Sequence, residues 1–114
     1  MESKRPDRLA ELLLEDISEL LSREVNDPRI APVTLTAAHV SKDLQHARIY
    51  FSLLDPARDR AEVLSGLRSA TAFIRGRVAR RLKLRFVPTI EFLYDEGAAQ
   101  AARIEQLLRD VKPR

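Results

Sequence analysis

The stretch that decides the fold is His46-Ala47-Arg48-Ile49-Tyr50-Phe51-Ser52-Leu53-Leu54. Ala47, Ile49, Phe51 and Leu53 fall on one side of an extended chain and His46, Arg48, Tyr50 and Ser52 on the other. That period of two is what a half-buried β-strand requires. Just upstream, the β-branched run Val33-Thr34-Leu35-Thr36-Ala37-Ala38-His39-Val40 is separated from it by the polar turn Ser41-Lys42-Asp43-Leu44-Gln45. The two runs are predicted to pair as a β-hairpin.

Before the hairpin, Leu9, Leu12, Leu13, Ile17, Leu20 and Leu21 recur at helical spacing. They predict a helix from about residue 7 to about residue 25, with Asp7 placed to cap its first turn. Asn26-Asp27-Pro28 ends it, because Pro28 disfavours the helical conformation of the residue before it. Asp27 is expected to fix this crossing by capping or by pairing with Arg29, and a contact of Arg29 with RNA is a minority reading.

After the hairpin the period returns to about 3.6 from Pro56 onward, and Val63, Leu64, Leu67, Ala70, Ile74, Val78 and Leu82 fall in one arc of roughly 120°. Phe73 lies roughly 60° outside that arc. A bend between Ala70 and Phe73 would turn the second segment and let Phe73 pack, so two helices are predicted here. Gly76, inside the second, is expected to permit a close backbone approach. Pro88 introduces a third strand, Thr89 to Tyr94, closed by the turn Asp95-Glu96-Gly97. Ala101, Ile104, Leu107, Leu108 and Val111 predict a C-terminal helix within Ala98 to Val111. The expected architecture is a two-layer α+β domain over residues 1–96, with helices on one face of a three-stranded sheet, and a C-terminal helix or tail over 97–114.

With 114 residues and 45% hydrophobic content, the chain has material for one core. It has no Cys, which excludes disulfides and thiolate metal sites and suits a cytoplasmic protein. Its first residues are polar, with no apolar core of signal or membrane-spanning length. The net charge is only +3, yet Val63 to Ile90 holds Arg68, Arg75, Arg77, Arg80, Arg81, Lys83 and Arg85 and no acid. Such an uneven distribution suits a polyanionic partner; the competing reading is an ordinary solvated helix face.

Three segments carry a resemblance to a known family: Glu24-Val25-Asn26-Asp27-Pro28-Arg29-Ile30, Ala47 to Leu53, and Arg75 through Pro88 to Asp95. In this order and spacing the chain, from about Arg5 to Leu108, resembles the ribosome-binding factor A family. The resemblance implies a type II KH-like domain of order α-β-β-α-(kink)-α-β. It also implies binding to the small (30S) ribosomal subunit late in assembly, through 16S rRNA near its 5′-terminal helix and the decoding region. In the family a kinked Ala-x-Gly junction stands where other KH domains clamp phosphate with two glycines. The matching positions here are Ala70, Thr71 and Ala72, so the glycine is replaced by alanine.

The candidate RNA-binding set is Arg77, Arg80, Arg81 and Lys83, expected to point away from the buried stripe, extended by Arg75 near its edge and Arg85 in the following loop. Tyr50 could stack on a base, although a Tyr covered by the C-terminal helix is the stronger reading. Nothing points to catalysis. His39 and His46 lack a matching ligand cluster, Glu15-Asp16 and Asp95-Glu96 are adjacent in sequence and so diverge, and three glycines cannot build an NTP loop. No catalytic residue, metal, cofactor, small-molecule substrate or membrane contact is expected, and the chain is expected to be a monomer. With the basic stretch, the resemblance implies transient, non-enzymatic assistance to small-subunit maturation and rRNA processing. The alternative is a general KH-like RNA binder or a permanent ribosomal protein.

Overall fold

In a computed structural model, which describes residues 4–30, 32–55, 57–97, 104, 107 and 108, the elements follow in the order α1 (Lys4–Arg23), β1 (Val33–Val40), β2 (His46–Leu53), α2 (Arg60–Arg81) and β3 (Thr89–Tyr94). The sheet runs β1-β2-β3, with β1 antiparallel to β2 and β3 parallel to β2. All three strands stand where the alternation puts them. Ala47, Ile49 and Phe51 of β2 are buried with Ile90 and Phe92 of β3 against Leu13, Ile17 and Leu20 of α1 and Val63, Leu67, Ile74 and Val78 of α2. One core therefore lies between the sheet and two helices on its one face, the expected two-layer α+β arrangement. Tyr50 points to the other face, half-buried.

A bulge shifts the β1–β2 register between Leu35 and Ala37. Thr36, the residue without a ladder partner, donates its hydroxyl to Asp95 Oδ2 at 2.6 Å, tying the bulge to the end of β3. Where α1 hands over to the sheet, Asp27 accepts from the Arg29 backbone at 2.9 Å and pairs with its guanidinium at 2.6 Å. The turn thus closes on the Asp27–Arg29 pair. Arg58 donates to the carbonyl oxygens of Pro28 and Arg29, fastening the turn to the segment before α2.

Three expectations are corrected. The two helices predicted around Ala70, Thr71 and Ala72 form one unbroken α-helix, with Thr71 Oγ1 donating to the Leu67 carbonyl at 2.9 Å. Phe73 lies off the buried stripe, as its helical phase predicts, and the unbent helix leaves it 46% exposed. Second, the close approach belongs to Gly66 and not to Gly76. A Cβ at Gly66 would sit 2.9 Å from Ile30 Cγ1 and 3.1 Å from Arg29 Cβ, whereas one at Gly76 would meet nothing within 4 Å. Third, α1 starts three residues earlier than expected, at Lys4. The C-terminal helix expected from Ala98 to Val111 falls almost wholly outside the described residues; Ile104, Leu107 and Leu108 are helical and exposed.

Candidate nucleic-acid interface

The C-terminal end of α2 and the loop after it carry every residue of the expected basic set, and the local backbone explains how they are displayed. Asp59 caps the start of α2, accepting from Ala61 N–H at 2.9 Å. At the other end Leu84 N–H donates to the Ala79 carbonyl at 2.9 Å and Lys83 takes the left-handed conformation, φ 55°. That is a Schellman closure with lysine where glycine is usual. The loop then runs back to β3 through Pro88, which is fully buried. Arg75 holds it there, Nη2 donating to the Val87 carbonyl at 2.8 Å and Nε to the Pro88 carbonyl at 3.0 Å.

Arg77 and Arg81 are partly exposed, but both are engaged by carboxylates. Arg81 Nε lies 2.7 Å from Asp16 Oδ1, and its Nη atoms reach Glu19 and, at 3.7 Å, Glu24. Arg77 Nη2 is 2.6 Å from Glu24 Oε1, and its guanidinium stands 5.9 Å from the centre of the Phe73 ring. The stretch is free of acids in sequence, but the acidic face of α1 folds against it. Helical phase accounts for this: Arg81 follows buried Val63 by eighteen residues, which at about 3.6 residues per turn is five whole turns. Arg81 is therefore on the packed side of α2, with Arg77 one turn before it along the edge facing α1. The placement of both in the outward arc is corrected accordingly.

The electrostatics follow from the packing. Burial pushes the Asp16 carboxyl above its ordinary value despite the Arg81 guanidinium beside it, and Glu19 and Glu24 add to the rise. Asp16 is only 8% exposed, and its Oδ2 has no hydrogen-bond partner among the described residues. The hydrogen bond that Arg81 donates to Glu19 leads the effects holding Arg81 charged. Arg29 in the same way keeps Asp27 below the usual carboxylate range.

Four cations of the acid-free stretch remain exposed with no partner among the described residues: Arg68, Arg80, Lys83 and Arg85. Arg80, Lys83 and Arg85 belong to the expected set; Arg68 lies in the acid-free stretch but outside that set. Sequence reasoning also passed over Phe86, which is 82% exposed between Arg85 and Val87. The signal for it was present, since Phe86 stands next to Arg85 in a loop that no apolar period covers. Among the described residues no group of His, Asp and Glu side chains could hold a metal ion, and no helix is long and apolar enough to cross a membrane.

Comparison with known proteins places this geometry. A sequence profile of ribosome-binding factor A matches residues 5–108. Ribosome-binding factor A of Halothermothrix orenii is 41% identical over 112 residues, covering 98% of this chain and 92% of that protein. The crystal structure of ribosome-binding factor A from Thermus thermophilus superposes with a TM-score of 0.71 at 27% identity, covering 78% of this chain and 93% of that one. A Thermus thermophilus coordinate set fitted into a cryo-EM map of a 30S complex with ribosome-binding factor A gives a TM-score of 0.56 at 28% identity, covering 78% and 89%.

Proposed function

This chain belongs to the ribosome-binding factor A family, and on that premise we propose that it binds the immature 30S subunit through 16S rRNA and assists its late maturation and rRNA processing. It acts as a transient, non-enzymatic, monomeric assembly factor in the cytoplasm. The RNA-binding unit is residues 1–96, and residues 97–114 form a C-terminal helix or tail. The 30S complex of the Thermus thermophilus relative supports the choice of partner.

The observation that carries the RNA reading is the group of exposed cations Arg80, Lys83 and Arg85 at the end of α2, which have no partner among the described residues, with Arg68 nearer the start of the same helix. Charges already neutralised by carboxylates gain little from a phosphate, because the ion pair must be broken first. Exposed guanidinium and ammonium groups outside such pairs release counterions from the phosphates on binding with no ion pair to break. Three or four such contacts predict that log affinity falls with log salt at a slope of roughly −2 to −3 on single-stranded RNA. Arg75, Arg77 and Arg81 support the surface from behind: Arg75 sets the loop, and the other two lock α2 to α1.

Sedimentation tests the proposal. The chain is expected to travel with free small subunits and to be absent from translating ribosomes, and a high-salt wash is expected to release it. Equal travel with both, or retention through the wash as a permanent component would show, contradicts it. Purified chain is expected to turn over no RNA with or without divalent metal ions.

A further inference from the structure

A recess of about 430 Å³ opens on α2 between Ala72, Arg75, Gly76 and Ala79 on the helix and Arg85, Phe86 and Val87 on the loop. Its wall is fixed, because Arg75 holds the carbonyl groups of Val87 and Pro88 while the buried Pro88 anchors the loop behind. Its floor is made of small side chains. Phe86 borders it with an almost fully exposed ring, an arrangement that no packing inside the chain requires.

Gly76 is the second unexplained feature. Glycine inside a helix lowers stability by roughly 0.5–1 kcal/mol relative to alanine. Neither reason for keeping it applies here, since a Cβ would meet nothing within 4 Å and its φ is not positive. What the glycine does provide is open space at the bottom of the recess. Arg85 stands at one side of that space, and Arg80 lies one helical turn beyond Gly76. A neighbouring recess shares Phe86 but is lined by Asp43, whose carboxylate would repel phosphate. The face over Gly76 carries no acid.

We infer that this recess receives one unpaired base of single-stranded RNA, stacked on Phe86 over Gly76, with the flanking phosphates on Arg85 and Arg80. This rests on the RNA-binding reading above and adds to it a mode of recognition. An exposed aromatic ring gives a stacking surface that any base can use, and the neighbouring cations give the phosphates of that same nucleotide a place. A paired base cannot enter, because its face is already stacked within the duplex.

The test uses the full chain, a labelled unstructured RNA oligonucleotide and a duplex of the same length, at one salt concentration. Phe86→Ala and Gly76→Leu are expected to weaken binding of the single strand about tenfold, in keeping with about 1–3 kcal/mol for one stacked base, and duplex binding less than twofold. Phe86→Tyr is expected to bind as the wild type does. Gly76→Leu leaves every charge in place and improves helix propensity, so a loss there reports blocked space. Unchanged single-strand binding, or equal loss on both RNAs, overturns the base site while leaving RNA binding intact. If the wild type binds neither RNA but still sediments with small subunits, the base site falls and the subunit reading stands. If it does neither, both fall.

Discussion

Arg81 Nε stands 2.7 Å from the carboxylate of Asp16, joining the last turn of α2 to the middle of α1 at a carboxyl that is 8% exposed. Removing Arg81 leaves the buried Asp16 carboxylate desolvated and without this partner. Arg81→Ala and Arg81→Glu are therefore expected to lower the thermal midpoint by several degrees, the glutamate more. Arg80→Glu, one residue away and without a partner among the described residues, is expected to leave the midpoint unchanged and to weaken RNA binding about tenfold or more. Thermal melts and titrations on the two variants check this, and a stable Arg81→Glu with lost RNA binding would reverse the roles.

The two perturbed carboxyls of α1 and its exit turn give opposite pH dependences. Asp16 has its folded value raised, chiefly by burial, so its contribution to stability is present below the ordinary carboxylate value and is lost as pH rises through the folded one. Asp27 has its value lowered, chiefly by the hydrogen bond from Arg29, so its contribution is present above the ordinary value and is lost as pH falls. Thermal midpoints from acidic to neutral pH should show Asp16→Asn gaining on the wild type as pH rises. Asp27→Asn should be weaker than the wild type at neutral pH and approach it in acid.

Lys83 holds φ 55° in the Schellman closure of α2, a conformation that is unfavourable for a side chain bearing a Cβ. Lys83→Gly is expected to stabilise the fold by up to about 1 kcal/mol while flattening the salt slope of RNA binding by about 0.7. Denaturant unfolding and a salt titration read the two effects separately.

The two helical glycines separate in the same way. Gly66→Ala brings a methyl to 2.9 Å from Ile30 and is expected to destabilise by about 1–3 kcal/mol. Gly76→Ala meets nothing and is expected to stabilise by about 0.5–1 kcal/mol. Chemical denaturation of the two variants distinguishes them.

The strands were legible because alternation is a local property: Ala47, Ile49 and Phe51 needed no partner to reveal the buried face. The α2 stripe was legible too, and so was the turn at Asp27 and Arg29. What the chain hides is which distant residues meet. No local pattern says that Glu24, Glu19 and Asp16 close over Arg77 and Arg81, since those contacts bridge helices far apart in sequence. Even so, the angular position of Arg81, equal to that of Val63, was available and would have moved it inward. Phe73 teaches the converse, because a bend was invoked to bury a ring that the chain exposes. Large apolar side chains at a surface point outward for a partner as readily as they signal a defect in the helix.

The most direct test is crosslinking of the full chain to immature small subunits, with both the rRNA nucleotides and the protein residues identified. Crosslinks from 16S rRNA to Arg80, Lys83, Arg85 and Phe86 are the predicted result, with Arg77 and Arg81 spared. Crosslinks gathered instead on Arg48 and Tyr50 of the far sheet face, or none to rRNA at all, would contradict it.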